Sequence, residues 1–307
     1  APLHDTPRAI STGPNWAYLR IAEGCDNRCA YCVIPSLRGK FRSRTKESIL
    51  EEARLLAASG VKELIIVAQD ITRYGIDLYG KACLTELLKE LCKLDFRWVR
   101  LHYLYPELID DELIDEIASE DKIVKYLDIP IQHINDTILR RMNRRGTGEE
   151  IRALFKKLRE RIPGLVLRTS LITGLPGEGE AEFEELCDFL REAKIERAGV
   201  FPYSPEEGTP AALMPDRCST EEAQRRAELC MEIQAEIMDG FAETFIGREL
   251  DVLVMGREPD GTPWGRSEYD SPDIDSRVIF SGGAAPGDMV RVRIDSVDDG
   301  ELIGEQI

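Results

Sequence analysis

Between residues 17 and 205, six short apolar runs alternate with five amphipathic stretches, and this alternation is the strongest constraint on the fold. The runs are "AYLRIAEG", "ELIIVAQD", "WVRLHYLYP", "VKYLDIPIQH", "LVLRTSLITGLP" and "RAGVFPYSP". Between them lie "KESILEEARLLAAS", "LTELLKELCKL", "DDELIDEIASE", "EEIRALFKKLRERI" and "AEFEELCDFLREAK", with apolar residues at the helical spacing i, i+3, i+4 and i+7. Strands alternating with helices build a parallel sheet. The runs are apolar nearly throughout, as strands covered on both faces are. Polar residues gather at their C-terminal ends: Glu23, Gln69 and Asp70, Tyr105, Gln132 and His133, Tyr203 and Ser204. In a β/α barrel that end carries the chemistry. Six units rather than eight predict a barrel left partly open.

The pattern changes at "CSTEEAQRRAELCMEIQAEIMDGFAETFIG". This stretch predicts one long helix from Ser219 to about Phe245, opened by a capping box of Ser219 and Glu222. Short alternating runs follow ("ELDVLVMG", "GTPWGRSEY", "SRVIFSGG", "GDMVRVRIDSV", "GELIGEQI"), separated by Gly, Pro and Asp. They predict a small all-β barrel. The expected class is therefore α/β: a partial, open, six-unit β/α barrel with its linking helix over residues 1–238, then a small β-barrel domain over residues 239–307.

No run of some twenty apolar residues occurs in the 307, so no transmembrane helix and no membrane partner are expected. "APLHDTPRAI" has neither the basic nor the apolar region of a signal peptide. It also lacks a Met, and the chain is read as a fragment of something longer. Eight cysteines without a secretion signal point to reduced thiols in the cytoplasm. The net charge of −17 repels nucleic acid and membrane surfaces and favours basic partners. No oligomerisation signal stands out, and a monomer is expected.

Three cysteines, Cys25, Cys29 and Cys32, fall within "GCDNRCAYC" just past the first run. Three thiolates suit a four-iron four-sulfur cluster that leaves one iron without a protein ligand. A structural zinc site needs a fourth ligand, and the three histidines, His4, His102 and His133, are remote in sequence. A zinc module or an electron-carrying iron–sulfur protein is the non-enzymatic alternative. Cys83, Cys92, Cys187, Cys218 and Cys230 lie on or near predicted helices and are expected to pack as small hydrophobes.

The C-x3-C-x-aromatic-C pattern, with Tyr31 as the aromatic, resembles the radical S-adenosylmethionine enzymes. The resemblance implies that the open iron chelates S-adenosylmethionine, that an external donor supplies one electron, and that a 5′-deoxyadenosyl radical then abstracts a hydrogen. It implies that Tyr31 contacts the adenine. "IPSLRG", "LDIPIQH", "LITGLPGE", "YSPEEGTPA" and the terminal barrel, which resembles the OB-like TRAM module, narrow it to the methylthiotransferases. Two branches compete. "CVIPSLRG" and "YSPEEGT" look more like the RimO type, which modifies the β-carbon of an aspartate in ribosomal protein twelve of the small subunit. The MiaB-like branch modifies adenosine in tRNA. Residues 240–307 hold 15 Asp and Glu against 6 Lys and Arg, which favours a basic ribosomal protein over tRNA as the partner. Full-length members carry an upstream domain with a second cluster, and that domain is missing from this chain.

Further roles follow from the resemblance. Gln69 or Asp70 occupies the place of a family motif that holds the methionine ammonium group; capping of the next helix is the alternative. Gln132 stands at a strand end beside the cofactor. "TSLITGLPGEGE" resembles the stretch lining the ribose and adenine, with Thr169 and Ser170 at the ribose and Gly174 allowing close backbone approach. His133 is either a proton donor or a satisfied buried histidine, and the second is expected. Arg38, Lys40, Arg42 and Arg44 form a local basic patch suited to a carboxylate of substrate or cofactor; a solvated loop is the alternative for any one of them.

Overall fold

The computed structural model describes residues 12–307; His4 and the opening "APLHDTPRAI" lie outside the described residues. Six strands pair in parallel, in chain order: Trp16–Arg20, Glu63–Val67, Trp98–Leu101, Ile123–Asp128, Val166–Thr173 and Arg197–Pro202. The first and last strands each have one neighbour in this sheet, so the barrel is open as expected. The five expected helices form at Lys46–Ala58, Leu84–Leu91, Asp111–Ser119, Gly148–Arg161 and Glu180–Ala193. Thr45, Asp110 and Thr147 cap three of them by accepting a backbone N–H. Sequence periodicity gave no sign of three short elements near the strand ends: helices Ile34–Arg38 and Asp136–Arg141, and a ribbon pairing Ala22–Glu23 with Arg42–Ser43.

Alternate residues of a strand face opposite ways. Leu64, Ile66, Val99, Leu101, Leu167 and Leu171 join the large core beneath the helices. The opposite parity, Trp98, Val124, Tyr126 and Val166, clusters instead with Leu253 of the terminal barrel. That barrel is closed, in the order Pro263–Ser267, Val278–Ser281, Glu301–Gln306, Met289–Asp298, Glu249–Arg257. The barrel therefore covers the sheet's inner face at the end opposite the strands' C-termini. The helix Thr220–Glu243 connects the two parts. Its cap is half of the expected box. Ser219 accepts from the Glu222 N–H at 3.1 Å, but the Glu222 carboxylate turns to Arg225 and Arg226 instead.

Buried charge joins the two parts. Glu63 accepts from Arg100 of the neighbouring strand at 2.7 Å and from Arg266 of the terminal barrel at 2.5 Å. Burial alone would raise the Glu63 carboxyl; Arg266 and Arg100 outweigh it and hold it at about 2. Removing one member of such a buried group costs about 3–5 kcal/mol, because the others are left uncompensated. Arg197 meets Asp270 at 2.8 Å, and Tyr126 donates to Asp275 at 2.6 Å. Two of the acids counted toward a docking surface thus face inward. Cys83, Cys92, Cys187 and Cys230 are buried and Cys218 partly so, all as free thiols. Helix packing brings Cys187 and Cys230 to 3.9 Å between sulfurs.

His102 lies in the same interface, 3.1 Å from the Ser271 hydroxyl. Burial first, then the charges of Arg100 and Arg168, lower its imidazole to about 3. Unfolded, it takes a proton below about 6.5; folded, it stays neutral, so stability is lost as pH falls below 6.5. His102→Gln keeps a polar partner for Ser271 and removes the titration. In urea unfolding, wild type is expected to lose about 1.4 kcal/mol relative to this variant between pH 7.5 and 5.5. Parallel pH responses would contradict this.

Candidate functional site

Cys25, Cys29 and Cys32 line one cavity of about 420 Å³ at the C-terminal ends of the strands. Tyr31, Gln69, Gln132 and Ser170 line it as well. A groove of similar volume between the helices 148–161 and 180–193, floored by Phe155 and Phe189, contains no thiol and no strand-end residue.

The loop that carries the thiols has no regular structure, and it is tied down almost residue by residue. The Gly24 N–H donates to Gln69 Oε1 at 2.7 Å and the Cys25 N–H to the Gly39 carbonyl at 3.1 Å. Asp26 accepts from the Phe41 N–H at 3.3 Å, and the Asn27 amide donates to Asp70 at 3.0 Å. The Arg28 carbonyl accepts from the Asn143 amide at 2.9 Å, and the Ala30 N–H donates to the Met142 carbonyl at 2.8 Å. Gly24 has φ +84°, and an added Cβ would sit 2.2 Å from the Lys40 carbonyl oxygen, so only glycine fits there.

The anchor at residues 142–144 has its own local cause. The helix Asp136–Arg141 ends in a turn where the Asn143 N–H donates to Arg140 O at 3.1 Å and the Arg144 N–H to Leu139 O at 2.8 Å. This is the double bond pattern of a left-handed helix terminus, with Asn143 at φ +53°. It directs Arg144 into the cavity. The guanidinium lies 3.8 Å from the Cys29 sulfur, donates to the Pro130 carbonyl at 2.6 Å and stacks over the Tyr105 ring at 4.3 Å. Sequence reasoning missed Arg144; the helix–Asn–Arg order of "LRRMNRRG" was the available sign. Tyr103 and Gln132, both cavity-lining, also have positive φ, 65° and 72°. Non-glycine residues held this way cluster at functional sites.

Several expected site residues are elsewhere. Asp70 is buried and caps the next turn: its carboxylate accepts from the Thr72 N–H at 3.1 Å and the Thr72 hydroxyl at 2.5 Å, as well as from Asn27. Burial pushes its carboxyl up despite these bonds. Thr169 is fully buried on the helix side of its strand, donating to Ile129 O at 2.8 Å and accepting from the Ile131 N–H at 3.2 Å. Gly174 has φ +75°, but its close approach is to Ala223 of the linking helix. Arg44 is buried against Glu52 (2.5 Å), the Arg20 carbonyl and Ser48, away from any patch. Arg38 and Arg42 reach Glu23 at 3.2 and 3.9 Å, and Lys40 is exposed. His133 is buried, accepts from the Asn135 N–H at 3.0 Å and lies 3.2 Å from Glu178.

The thiols fit a cluster better than a single ion. Among the described residues, no three His, Cys, Asp or Glu side chains gather as the ligands of one ion would. The three thiols instead share the wall of a cavity far larger than an ion. The same strand separates structural from cavity-facing hydroxyls. Thr169→Val is expected to cost about 1–3 kcal/mol in urea unfolding, because two buried backbone groups lose their partner. Ser170→Ala is expected to cost under about 0.5 kcal/mol. Equal costs would contradict the assignment of faces.

The "Radical SAM superfamily" model matches residues 19–190 and the "TRAM domain" model residues 246–307. The chain is 52% identical over 312 residues to the ribosomal protein uS12 methylthiotransferase RimO of Pelotomaculum thermopropionicum, covering 99% of this chain and 70% of that protein. The RimO of Caldanaerobacter subterraneus is 49% identical over 302 residues, covering 97% and 69%. Among solved structures, the Escherichia coli radical SAM enzyme HemN superposes with a TM-score of 0.57 at 17% identity, over 93% of this chain and 68% of that one. The methyltransferase TsrM of Kitasatospora setae, solved with a [4Fe-4S] cluster, gives 0.53 at 20% identity over 64% and 38%. These two likenesses bear on fold alone. With a superfamily model spanning more than half of the chain and relatives about half identical along nearly all of it, the chain belongs to the radical S-adenosylmethionine superfamily and, within it, to the RimO methylthiotransferases.

Proposed function

We propose that this chain is the catalytic core of a methylthiotransferase acting on an aspartate of ribosomal protein uS12. The observation that carries the reading is the convergence of three thiols, Tyr31 and two strand-end amides on one cavity. When bound, the cluster and S-adenosylmethionine supply one-electron cleavage and hydrogen abstraction. Cys25, Cys29 and Cys32 are the thiolates that hold the cluster. Tyr31 offers an aromatic wall to the adenine, and Gln69, Gln132 and Ser170 offer polar contacts to the rest of S-adenosylmethionine. Asp70 and Thr169 are left with structural roles: Asp70 orients Asn27 of the thiol loop, and Thr169 fixes the strand from which Ser170 projects. Ile34, Ala68, Leu104 and Tyr105 give the thiols an apolar and aromatic surround, which suits chemistry that must be shielded from water.

Arg38, Lys40 and Arg42 follow Ile34, which lines the cavity, and we assign them to the substrate-facing rim. Residues 239–307 act as the substrate-docking domain, with 1–238 as the catalytic part. The excess of acidic over basic residues in the terminal barrel supports a basic protein partner over tRNA. A low-potential one-electron donor completes the system.

A binding titration at 50 and 200 mM salt, against uS12 and against bulk tRNA, tests the substrate. The chain is expected to prefer uS12, with affinity falling as salt rises. Preference for tRNA would overturn the reading and favour an adenosine substrate.

A further inference from the structure

We propose that Arg144 sets the reduction potential of the cluster by holding a fixed positive charge on the Cys29 sulfur. The proposal rests on the reading of Cys25, Cys29 and Cys32 as cluster ligands. Its own basis is the restraint on the guanidinium. One nitrogen donates to the Pro130 carbonyl at 2.6 Å, another lies 3.8 Å from Cys29 Sγ, and the plane rests on the Tyr105 ring at 4.3 Å. The backbone of Arg144 is fixed by its N–H bond to Leu139. The Tyr105 hydroxyl lies 4.0 Å from the same sulfur. A carbonyl, a ring and a helix terminus together hold the guanidinium against the thiol.

The consequence follows from charge. Reduction adds one electron from the external donor to the cluster and moves no proton at Arg144, since guanidinium stays protonated throughout. The reduced state carries one more negative charge. A nearby cation and a donor to a ligand sulfur stabilise that state and raise the potential. The chain would thus make a hard reduction easier through a charge held against a ligand sulfur. Arg144 is a positioning residue in this scheme, acting through Cys29.

The test is EPR-monitored potentiometry of the anaerobically reconstituted chain without S-adenosylmethionine, for wild type, Arg144→Gln and Arg144→Lys. Arg144→Gln is expected to lower the equilibrium constant for one-electron reduction at least tenfold, a shift of 59 mV to more negative potential. Arg144→Lys, which keeps the charge but not the planar fork, is expected to fall between the two. Iron content and far-ultraviolet circular dichroism accompany each variant; if Arg144→Gln fails to hold its cluster, the Lys variant alone decides. An unchanged potential in variants with full clusters overturns the proposal. So does an unchanged potential with S-adenosylmethionine affinity weakened tenfold, which would make Arg144 a cofactor ligand. Wild type without a four-iron cluster would overturn the underlying reading instead.

Discussion

Everything at the carboxyl-terminal rim depends on how residues 24–32 are held. A loop with three thiols has no helix or strand to fix its shape, so its backbone groups must find partners outside it. Its backbone and side chains find them in four places: the strand end at Gln69 and Asp70, the segment Gly39–Phe41, the helix terminus at Met142–Asn143, and Ala211, whose N–H donates to the Ala30 carbonyl at 2.9 Å. These partners come from parts of the chain far apart in sequence, and parallel strand pairing brings their ends to one edge. The thiol frame is therefore a product of the sheet. Disturbance of the sheet's register would reach the thiols through these bonds.

The inner face of the open barrel raises a second demand. A parallel sheet with one uncovered face would expose Trp98, Val124, Tyr126 and Val166 to water. The terminal barrel covers them with Leu253 and brings Arg266, Asp270 and Asp275 against Glu63, Arg197 and Tyr126. Charges buried at this depth survive only when paired, and these pairs specify one way of seating the terminal barrel. The cavity at the opposite end is left for chemistry. Coverage at one end and access at the other follow from the same open sheet.

The strands and helices were legible because periods of 2 and 3.6 leave different marks on an apolar pattern. The thiol loop was legible because three cysteines within eight positions are uncommon without a metal. What could not be read directly was parity. Thr169 and Ser170 are neighbours, yet they face opposite sides, and only the side taken by Leu167 and Leu171 shows which is which. Gln69 and Asp70 pose the same problem at a strand end, where Asp70 turns inward to cap. Arg44 was misplaced because its partner Glu52 lies two turns into the next helix, outside any local motif. Arg144 was missed because its role comes from a helix terminus packing against a distant loop.

The central claim is that Cys25, Cys29 and Cys32 hold a four-iron cluster with one iron open to S-adenosylmethionine. The most direct measurement is an anaerobic iron and sulfide count on the reconstituted chain, with the reduced EPR signal recorded before and after S-adenosylmethionine is added. The account predicts about four irons and four sulfides per chain and a signal that changes on addition. One metal ion per chain, or a cluster whose signal ignores S-adenosylmethionine, would contradict it.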